Sequence, residues 1–548
     1  MDLRNNNLAR LGSEDFDALV IGSGINGSVS AAALAARGLK VALIDARDFA
    51  GFTSQHSSNL VWGGIKYMEG YEFGLVAGLC NSRNELLESF PSTVKEIRFL
   101  MTINRQFRFH PLIILASTWL YWLLGRAKTR IPHLLSLRRI KQLEPLINTD
   151  ISTAGIEYSD AFLHDNDARF VFNFVRSAMD KGCVAANYVA SHGAARDTGG
   201  QWVTQAEDQV SGSRFEIRSK VLINAAGAFV DGHNRLTGIV TEHHHLLSKG
   251  IHLLVPQISQ NHRVLAFFAD DERLFFAIPM ANRTCIGTTD TQVEDPLVEV
   301  SDDDREFVLS NINARLDLPT PLTADDIIAE RCGVRPLAIR KTETTIDVQQ
   351  VSRKHVTEMD SAQMHISIFG GKLTDCINVG EEICDCVARL GLQLEPPRGK
   401  WYGEPGRRER AAYDARVQAL GLDQIAAADT GEILSERLWR RYGADANQML
   451  DAIEKDPGLC QPLIENTGIR RCEIDYIARH EMIVTLEDYL RRRSKIELLV
   501  SRSMLRQSAG LFEACEKLFG SEAKKRFDEY FNLSAKSDSD ISQRSGSE

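Results

Sequence analysis

No stretch of this 548-residue chain reaches the roughly 20 consecutive apolar residues that cross a bilayer. The opening "MDLRNNNLARLGSED" has no apolar run before the first predicted strand, so no secretory signal is expected. Nor is there a long basic tract interleaved with aromatics, and the formal net charge is −10, so nucleic acid is not an expected partner. The ten cysteines are scattered. Cys384 and Cys386 form the one close pair, and their one-residue gap fits neither a CxxC redox motif nor a zinc knuckle. Reduced thiols in a cytosolic protein and no bound metal are the reading that follows. No internal repeat is visible. What remains is 43 % hydrophobic and 25 % charged, the balance of an ordered globular chain, and its length calls for two or three domains.

The clearest unit is "DFDALVIGSGINGSVSAAALAARGLKVALIDAR", residues 15–47. An apolar run at 17–21 predicts a strand. A turn with Gly22, Gly24 and Gly27 follows, then an Ala-rich helix ending at Gly38, then a second strand closing at Asp45. Strand, glycine turn, helix, strand and terminal acid fit within the roughly 30 residues of a dinucleotide-binding βαβ unit. Gly22 permits the tight turn, Gly24 lets a pyrophosphate approach the helix N-terminus, and Gly27 lets helix and strand pack closely. Asp45 would accept from ribose hydroxyls and disfavours the 2′-phosphate of NADP. The unit alone does not decide between NAD and FAD.

A second strand, "RFEIRSKVLIN", exits into Ala225, Ala226 and Gly227, either another close approach to a nucleotide or a tight turn. Residues 151–365 read as strands punctuated by turns, including "HLLVP", "VLAFFA", "LFFAIPM" and "TCIGTTD". From about residue 400 the periodicity is helical, and "TLEDYLRRRSK" has capping-box spacing from Thr485 to Asp488, with its arginines on an expected solvated face. "PLIILASTWLYWLL", residues 111–124, is apolar with basic flanks at Arg105, Arg108, Arg126, Lys128, Arg130, Arg138, Arg139 and Lys141. It is either a helix dipping into one membrane leaflet or a buried core helix.

Several blocks in order resemble the FAD-dependent, quinone-reducing glycerol-3-phosphate dehydrogenases: "VIGSGINGSVSAAALAARG", "TSQHSSNLVWGGIKYMEGYEF", "EYSDAFLHDNDAR", "KGIHLLVP", "IPMANRTCIGTTD", "CGVRPL", "FGGKLTDC" and "RHEMIVTLEDYLRRRSK". The resemblance implies an α/β fold: a Rossmann-type FAD-binding domain with an antiparallel-sheet substrate-capping domain, and a helical C-terminal domain. The expected boundaries are an N-terminal extension at 1–14, the interleaved FAD-binding and capping domains at 15–400 with a membrane-surface segment at 105–141, the helical domain at 401–535, and a disordered tail at 536–548.

The resemblance also assigns residues. Gly63 and Gly64 would let main chain pass close to the flavin, with Lys66 and Tyr67 lining the substrate cavity. His252 matches the active-site histidine and could take the hydroxyl proton; on sequence alone, a lone histidine in an apolar strand reads as structural. Arg335 matches the phosphate-binding arginine, Lys372 a lysine over the site, and Arg353 a second substrate arginine. Gly371, Leu373 and Thr374 would lie near the flavin pyrimidine edge. Ile25, Asn26, Ala46, Thr53, Ser54 and Ser58 would join the non-covalent FAD contacts, with Ala226 and Gly227 beyond them. The implied reaction is oxidation of sn-glycerol 3-phosphate to dihydroxyacetone phosphate, with electrons passed to membrane quinone. The implied partners are that substrate or a similar small molecule, the quinone, the inner face of the cell membrane and a second copy of the chain. The alternatives are a related flavoenzyme of another hydroxy or amino compound, an oxygen-using oxidase, and a flavin-binding scaffold without turnover.

The chain also departs from the family pattern. Lys66 stands where arginine is usual, which removes the planar fork from a phosphate grip. Trp62 replaces histidine, "HDNDAR" is about two residues longer than the usual acidic motif, and Asp375, Cys376 and Ile377 replace Thr-Tyr-Arg after "GGKLT".

Overall fold

The computed structural model describes residues 3–105, 107, 109–269, 273–342, 354–396, 399–425, 432–465 and 467–532. Arg353, Arg108 and the tail at 536–548 lie outside the described residues. The chain divides into two compact units, one from Asn7 to Gly403 and one comprising residues 1–6 and everything from Glu404 onward.

The larger unit holds two sheets. In the first, the strands Val356–Asp360, His365–Phe369, Arg214–Asn224, Asp15–Ile21, Val41–Ile44 and Val184–Ala186 lie side by side in that order. The four inner pairings are parallel, while Val356–Asp360 pairs antiparallel at the edge. Parallel strands are covered on both faces, and Val41–Ile44 is buried at every position. The helix Ile25–Ala35 packs against the helices Asp167–Asp180 and Cys376–Arg389. Its serines and alanines keep the approach close: ten of its eleven residues are buried. It ends at Ala35, with Gly38 at φ +82° completing the turn into the next strand, slightly short of the end expected from sequence.

The second sheet runs Thr291–Val293, His243–Pro256, Arg283–Gly287, Leu274–Met280, Arg263–Phe268, Val94–Asn104, Ser152–Leu163, Leu60–Val61. The long strand Ala329–Arg340 adds to His243–Pro256, antiparallel over its whole length. The pairings are antiparallel apart from Arg263–Phe268 on Val94–Asn104, which is parallel. One face of the sheet carries its own apolar core, built on Leu253, Val255, Leu265, Phe275 and Ile286.

The sequence 111–124 folds as the helix Pro111–Leu124. Thr118 and Tyr121 are buried, whereas Leu112 and Leu123 are 58 % and 59 % exposed and Ile113 and Leu120 are also exposed. The helix is therefore apolar on a face that this unit leaves uncovered. Among the described residues, no helix is long and apolar enough to cross a membrane.

The C-terminal unit is helical, with a core that includes Tyr413, Leu438, Tyr442, Leu450 and Ile477. Glu473 is buried within it and accepts from Arg437 at 2.6 and 3.0 Å, from the Tyr442 hydroxyl at 2.8 Å and from the Arg470 amide at 2.7 Å. Thr485 and Asp488 make the reciprocal bonds of a capping box, Thr485 N–H to Asp488 at 2.9 Å and Asp488 N–H to the Thr485 hydroxyl at 3.4 Å. The arginine run after it is not a solvated face. Asp488–Arg493 is a π-helical turn, and Arg491, Arg492 and Arg493 are all buried. Arg492 pairs with Asp488 at 2.6 Å and Arg493 caps the Glu481 carbonyl at 3.0 Å. The wider turn leaves the guanidinium groups inward partners that a sequence pattern does not reveal.

Candidate active site

Two adjoining cavities of about 300 and 370 Å³ share Thr53 and Ser54 in their walls. The second cavity runs along the glycine turn and is lined by Gly22, Gly24, Asp45, Ala46, Ala226 and Gly227 among others. Gly22 sits at φ +94°, and a Cβ on it would stand 2.6 Å from the Ala225 carbonyl oxygen. A Cβ on Gly27 would stand 1.8 Å from the Gly22 carbonyl oxygen, so helix and strand meet there only with glycine. Gly24 differs: a Cβ would find only the Ser54 hydroxyl, at 3.2 Å. Its glycine is not demanded by packing within the protein, which leaves the approach of a ligand as the requirement. The Ile25 N–H donates to the Ser54 hydroxyl at 3.0 Å. Asp45 accepts from Ser23 N–H and Ser23 O–H, both at 2.7 Å, and from Arg47 N–H at 2.9 Å. Burial pushes its carboxyl above the usual carboxylate range, against those hydrogen bonds.

The first cavity brings together Ile25, Ser58, Tyr67, His252, Arg335, Gly371, Lys372, Leu373 and Thr374. The register of the capping sheet does much of this. His252 faces Arg331 and Gly287, Gly250 faces Gly333, and Ser248 faces Arg335, so these side chains emerge on one face. The two opposed glycines make room. A Cβ on Gly250 would stand 2.1 Å from the Arg335 guanidinium, and one on Gly333 would stand 2.8 Å from the His56 side chain. Arg335 donates to the Thr288 hydroxyl at 2.8 Å and the Thr289 carbonyl at 3.1 Å, and lies 3.6 Å from Asp290. Lys372 donates to the Tyr67 hydroxyl at 2.7 Å, its ammonium 3.9 Å from the ring centre.

His252 is 3 % exposed, and neither ring nitrogen has a hydrogen-bond partner among the described residues. Burial, Arg335 and Arg331 push its pKa down to about 3, so the ring is neutral. The imidazole is therefore buried, neutral and in the cavity wall, without the hydrogen bonds that a buried polar group ordinarily has.

Four expected contacts lie outside both cavities. Asn26 works beneath the site, donating to the Gly370 carbonyl at 2.9 Å, and Gly27 serves helix packing. Gly63 and Gly64 line neither cavity. The space a Cβ would take at Gly63 is filled by the Tyr121 hydroxyl at 2.3 Å and the Cys80 sulfur at 2.7 Å. That turn is tied down by a buried network. Asp160 accepts from Gly63 N–H at 3.2 Å, from Arg83 at 2.9 Å and from Tyr121 at 2.6 Å. Gly64 takes φ +79° and packs against Tyr67.

Lys66 also departs from expectation. It lines a third, apolar pocket of about 310 Å³, together with Ile65 and Met68 and the helix residues Ile113, Ile114 and Leu120. The helical turn Ile65–Met68 thus presents Tyr67 to the first cavity and its neighbours to the other pocket.

Two cavity-side features were not legible in the motifs. Lys354 joins Arg335 and Lys372, so three cations and no carboxylate are among the described residues lining the first cavity. Asp375 points away from it, onto His355, with Nδ1 2.9 Å from Oδ2. "RKH" in the sequence carried the charge signal for both Lys354 and His355, but nothing there gave the direction.

A bipartite groove with a glycine turn at one end and an orphaned imidazole at the other fits FAD and a small substrate. Comparison with known proteins agrees. Residues 17–366 match the family model for FAD-dependent oxidoreductases, and residues 406–526 match that for the C-terminal domain of alpha-glycerophosphate oxidase. Glycerol-3-phosphate dehydrogenase of Pseudomonas aeruginosa is 31 % identical over 502 residues, spanning 90 % of this chain and 94 % of that one. Glycerol-3-phosphate dehydrogenase 2 of Mycobacterium tuberculosis is 30 % identical over 505 residues, 89 % of this chain and 82 % of the relative. The structure of the glycerol-3-phosphate dehydrogenase from Bacillus halodurans, complexed with FAD, superposes with a TM-score of 0.73 at 23 % identity, covering 97 % of each chain. The chain belongs to the family of FAD-dependent glycerol-3-phosphate dehydrogenases.

Proposed function

We propose that the protein oxidises sn-glycerol 3-phosphate to dihydroxyacetone phosphate and passes the electrons to a membrane quinone. The observation that carries the substrate reading is the first cavity: three cations and no carboxylate among its described lining residues, around a buried neutral imidazole. Arg335 binds the phosphate through its planar guanidinium, already aimed by Thr288 and Thr289. His252 takes the proton of the C2 hydroxyl. Burial is the largest cause of its low pKa; a dianion bound beside Arg335 would offset that arginine's smaller share and make the imidazole a stronger base. Lys372, held by Tyr67, orients the substrate and keeps positive charge over the site. FAD, which Gly22, Gly24, Asp45, Ala226 and Gly227 would hold along the second cavity, would supply the two-electron oxidant for the C2–H bond.

Acceptor and membrane reading rest on the other side of the turn Ile65–Met68. The apolar pocket there is bordered by the helix Pro111–Leu124, whose Leu112, Ile113, Leu120 and Leu123 are exposed. A pocket one helical turn from Tyr67, opening beside an uncovered apolar face with basic flanks, suits the ring of a lipid-soluble quinone at a leaflet surface. Lys66 would then serve the acceptor, not the phosphate. A second reading, a different hydroxy compound, is favoured by Trp62 and Phe276 in the first cavity wall, which narrow it with apolar surface.

Steady-state kinetics of Arg335→Ala and Lys66→Ala with glycerol 3-phosphate and a soluble quinone test both halves. Losing a charge-assisted contact to a dianion costs about 2 kcal/mol or more, so Arg335→Ala should raise the glycerol 3-phosphate Michaelis constant roughly 30-fold. Lys66→Ala should leave that constant within about twofold and raise the one for quinone. The reverse pattern would place Lys66 on the phosphate and remove the acceptor role.

A further inference from the structure

The loop Gly370–Thr374 bounds the first cavity and takes two left-handed residues, Gly370 at φ +65° and Gly371 at φ +109°. A loop with that much backbone freedom must be fixed by its surroundings. Asn26 holds the Gly370 carbonyl at 2.9 Å, and His245 accepts from the Gly370 N–H at 3.1 Å. The far end is held at Asp375, whose N–H donates to the Lys372 carbonyl at 3.0 Å. Its carboxylate accepts from Ser82 at 3.0 Å and Asn378 at 2.6 Å.

Behind the loop stands His355. Its Nε2 is hydrogen-bonded to Glu382 Oε2 at 2.9 Å, and its Nδ1 makes an ion-pair contact of 2.9 Å with Asp375 Oδ2 outside hydrogen-bond geometry, with the side chain 4 % exposed. A Cβ on Gly371 would lie 3.5 Å from the His355 Cβ, so the two residues are neighbours across the loop. We propose that His355 is a positioning residue for this loop: a cation clamped between Asp375 and Glu382 that fixes the loop against the flavin site and cancels the carboxylate of Asp375 there. The inference rests on FAD occupying the groove and is independent of the substrate reading.

The charge balance supports it. The charged groups acting on the ring are Asp375 and Glu382 on the helical segment; Lys354, the residue before His355, acts on Glu382. Two carboxylates meet two cations. Remove the imidazolium charge, and a net negative charge is left next to a loop that must tolerate added electron density on the cofactor. This accounts for an acid at position 375, where it otherwise opposes Lys372.

Burial lowers the His355 pKa, but the two carboxylates outweigh it and raise it to about 9. The folded value lies above the ordinary histidine value. The stabilisation is therefore complete below about pH 6.5 and is lost as pH rises through about 9.

The test is FAD release from the holoprotein, followed by flavin fluorescence between pH 6 and pH 10, for the native chain, His355→Gln, and His355→Gln with Asp375→Asn. The native protein should hold FAD evenly to about pH 8 and weaken through about pH 9. His355→Gln should bind FAD about tenfold more weakly at neutral pH and show no alkaline step. The double variant, free of the uncompensated carboxylate, should recover most of the loss. A His355→Gln protein with native affinity and an unchanged alkaline step overturns the proposal, as does a double variant no better than the single one. If His355→Gln does not fold, Glu382→Gln serves: it leaves the ring but removes one clamp, and must move the step to lower pH; an unmoved step overturns the proposal equally.

Discussion

His252 and Arg335 reach the cavity from neighbouring strands of one sheet, and their electrostatics are coupled. Burial, and after it Arg335 and Arg331, hold the pKa of His252 down to about 3, so the imidazole is neutral in the free protein across the physiological range. kcat/KM, which reports the free enzyme, should then show no acid limb near the ordinary histidine value of about 6.5. His252→Asn should lower kcat by roughly 100-fold or more while leaving the flavin bound, as expected for loss of a general base. An acid limb at the ordinary value, unchanged in His252→Asn, would assign the proton to another group. The sequence made these two residues legible through the blocks around them. It could not show which way Lys66 points. Adjacent residues on a tight helical turn diverge, and Lys66 and Tyr67 separate to two different pockets. Nor could it show that Asp375 has a cationic partner, because His355 lies 20 positions earlier and meets it only through the pairing of Val356–Asp360 with His365–Phe369.

At the scale of elements, the glycine turn and the helix Pro111–Leu124 carry distinct predictions. A Cβ at position 24 meets only the Ser54 hydroxyl, at 3.2 Å, whereas an alanine at 27 collides with the Gly22 backbone. Gly24→Val should therefore fold yet emerge colourless, and Gly27→Ala should fail to give a stable fold. Circular dichroism and the visible flavin spectrum distinguish the two. A yellow Gly24→Val protein would move the pyrophosphate elsewhere. For the helix, replacing Leu112, Ile113 and Leu123 with Ser changes exposed side chains, while Tyr121 stays on Asp160 and Trp122 keeps its bond to the Thr129 carbonyl at 2.6 Å. Sedimentation with anionic vesicles should fall sharply for the triple variant and weaken with salt for the native chain. Equal sedimentation of both would leave the exposed face without a membrane role. The βαβ unit and this helix were legible because periodicity and composition act locally. The buried arginines at 491–493 were not, since a charged run reads as solvated until the carboxylate and carbonyl partners inside the fold are known.

The molecule as a whole combines an α/β dinucleotide unit, a capping sheet that supplies His252 and Arg335, and a helical C-terminal unit with its own core. Order of blocks along the chain made that architecture readable, because each block folds on local signals and the family resemblance supplies their arrangement. The substrate is the least legible part. It depends on side-chain directions in one cavity, where Trp62 differs from the family pattern and from which Lys66 turns away to the third pocket. The direct measurement is anaerobic mixing of the purified yellow protein with sn-glycerol 3-phosphate, with glycerol lacking the phosphate as control. Glycerol 3-phosphate should bleach the visible flavin band, with dihydroxyacetone phosphate formed one-for-one with flavin, and glycerol should not. A flavin that stays oxidised with glycerol 3-phosphate but bleaches with another hydroxy compound would contradict it.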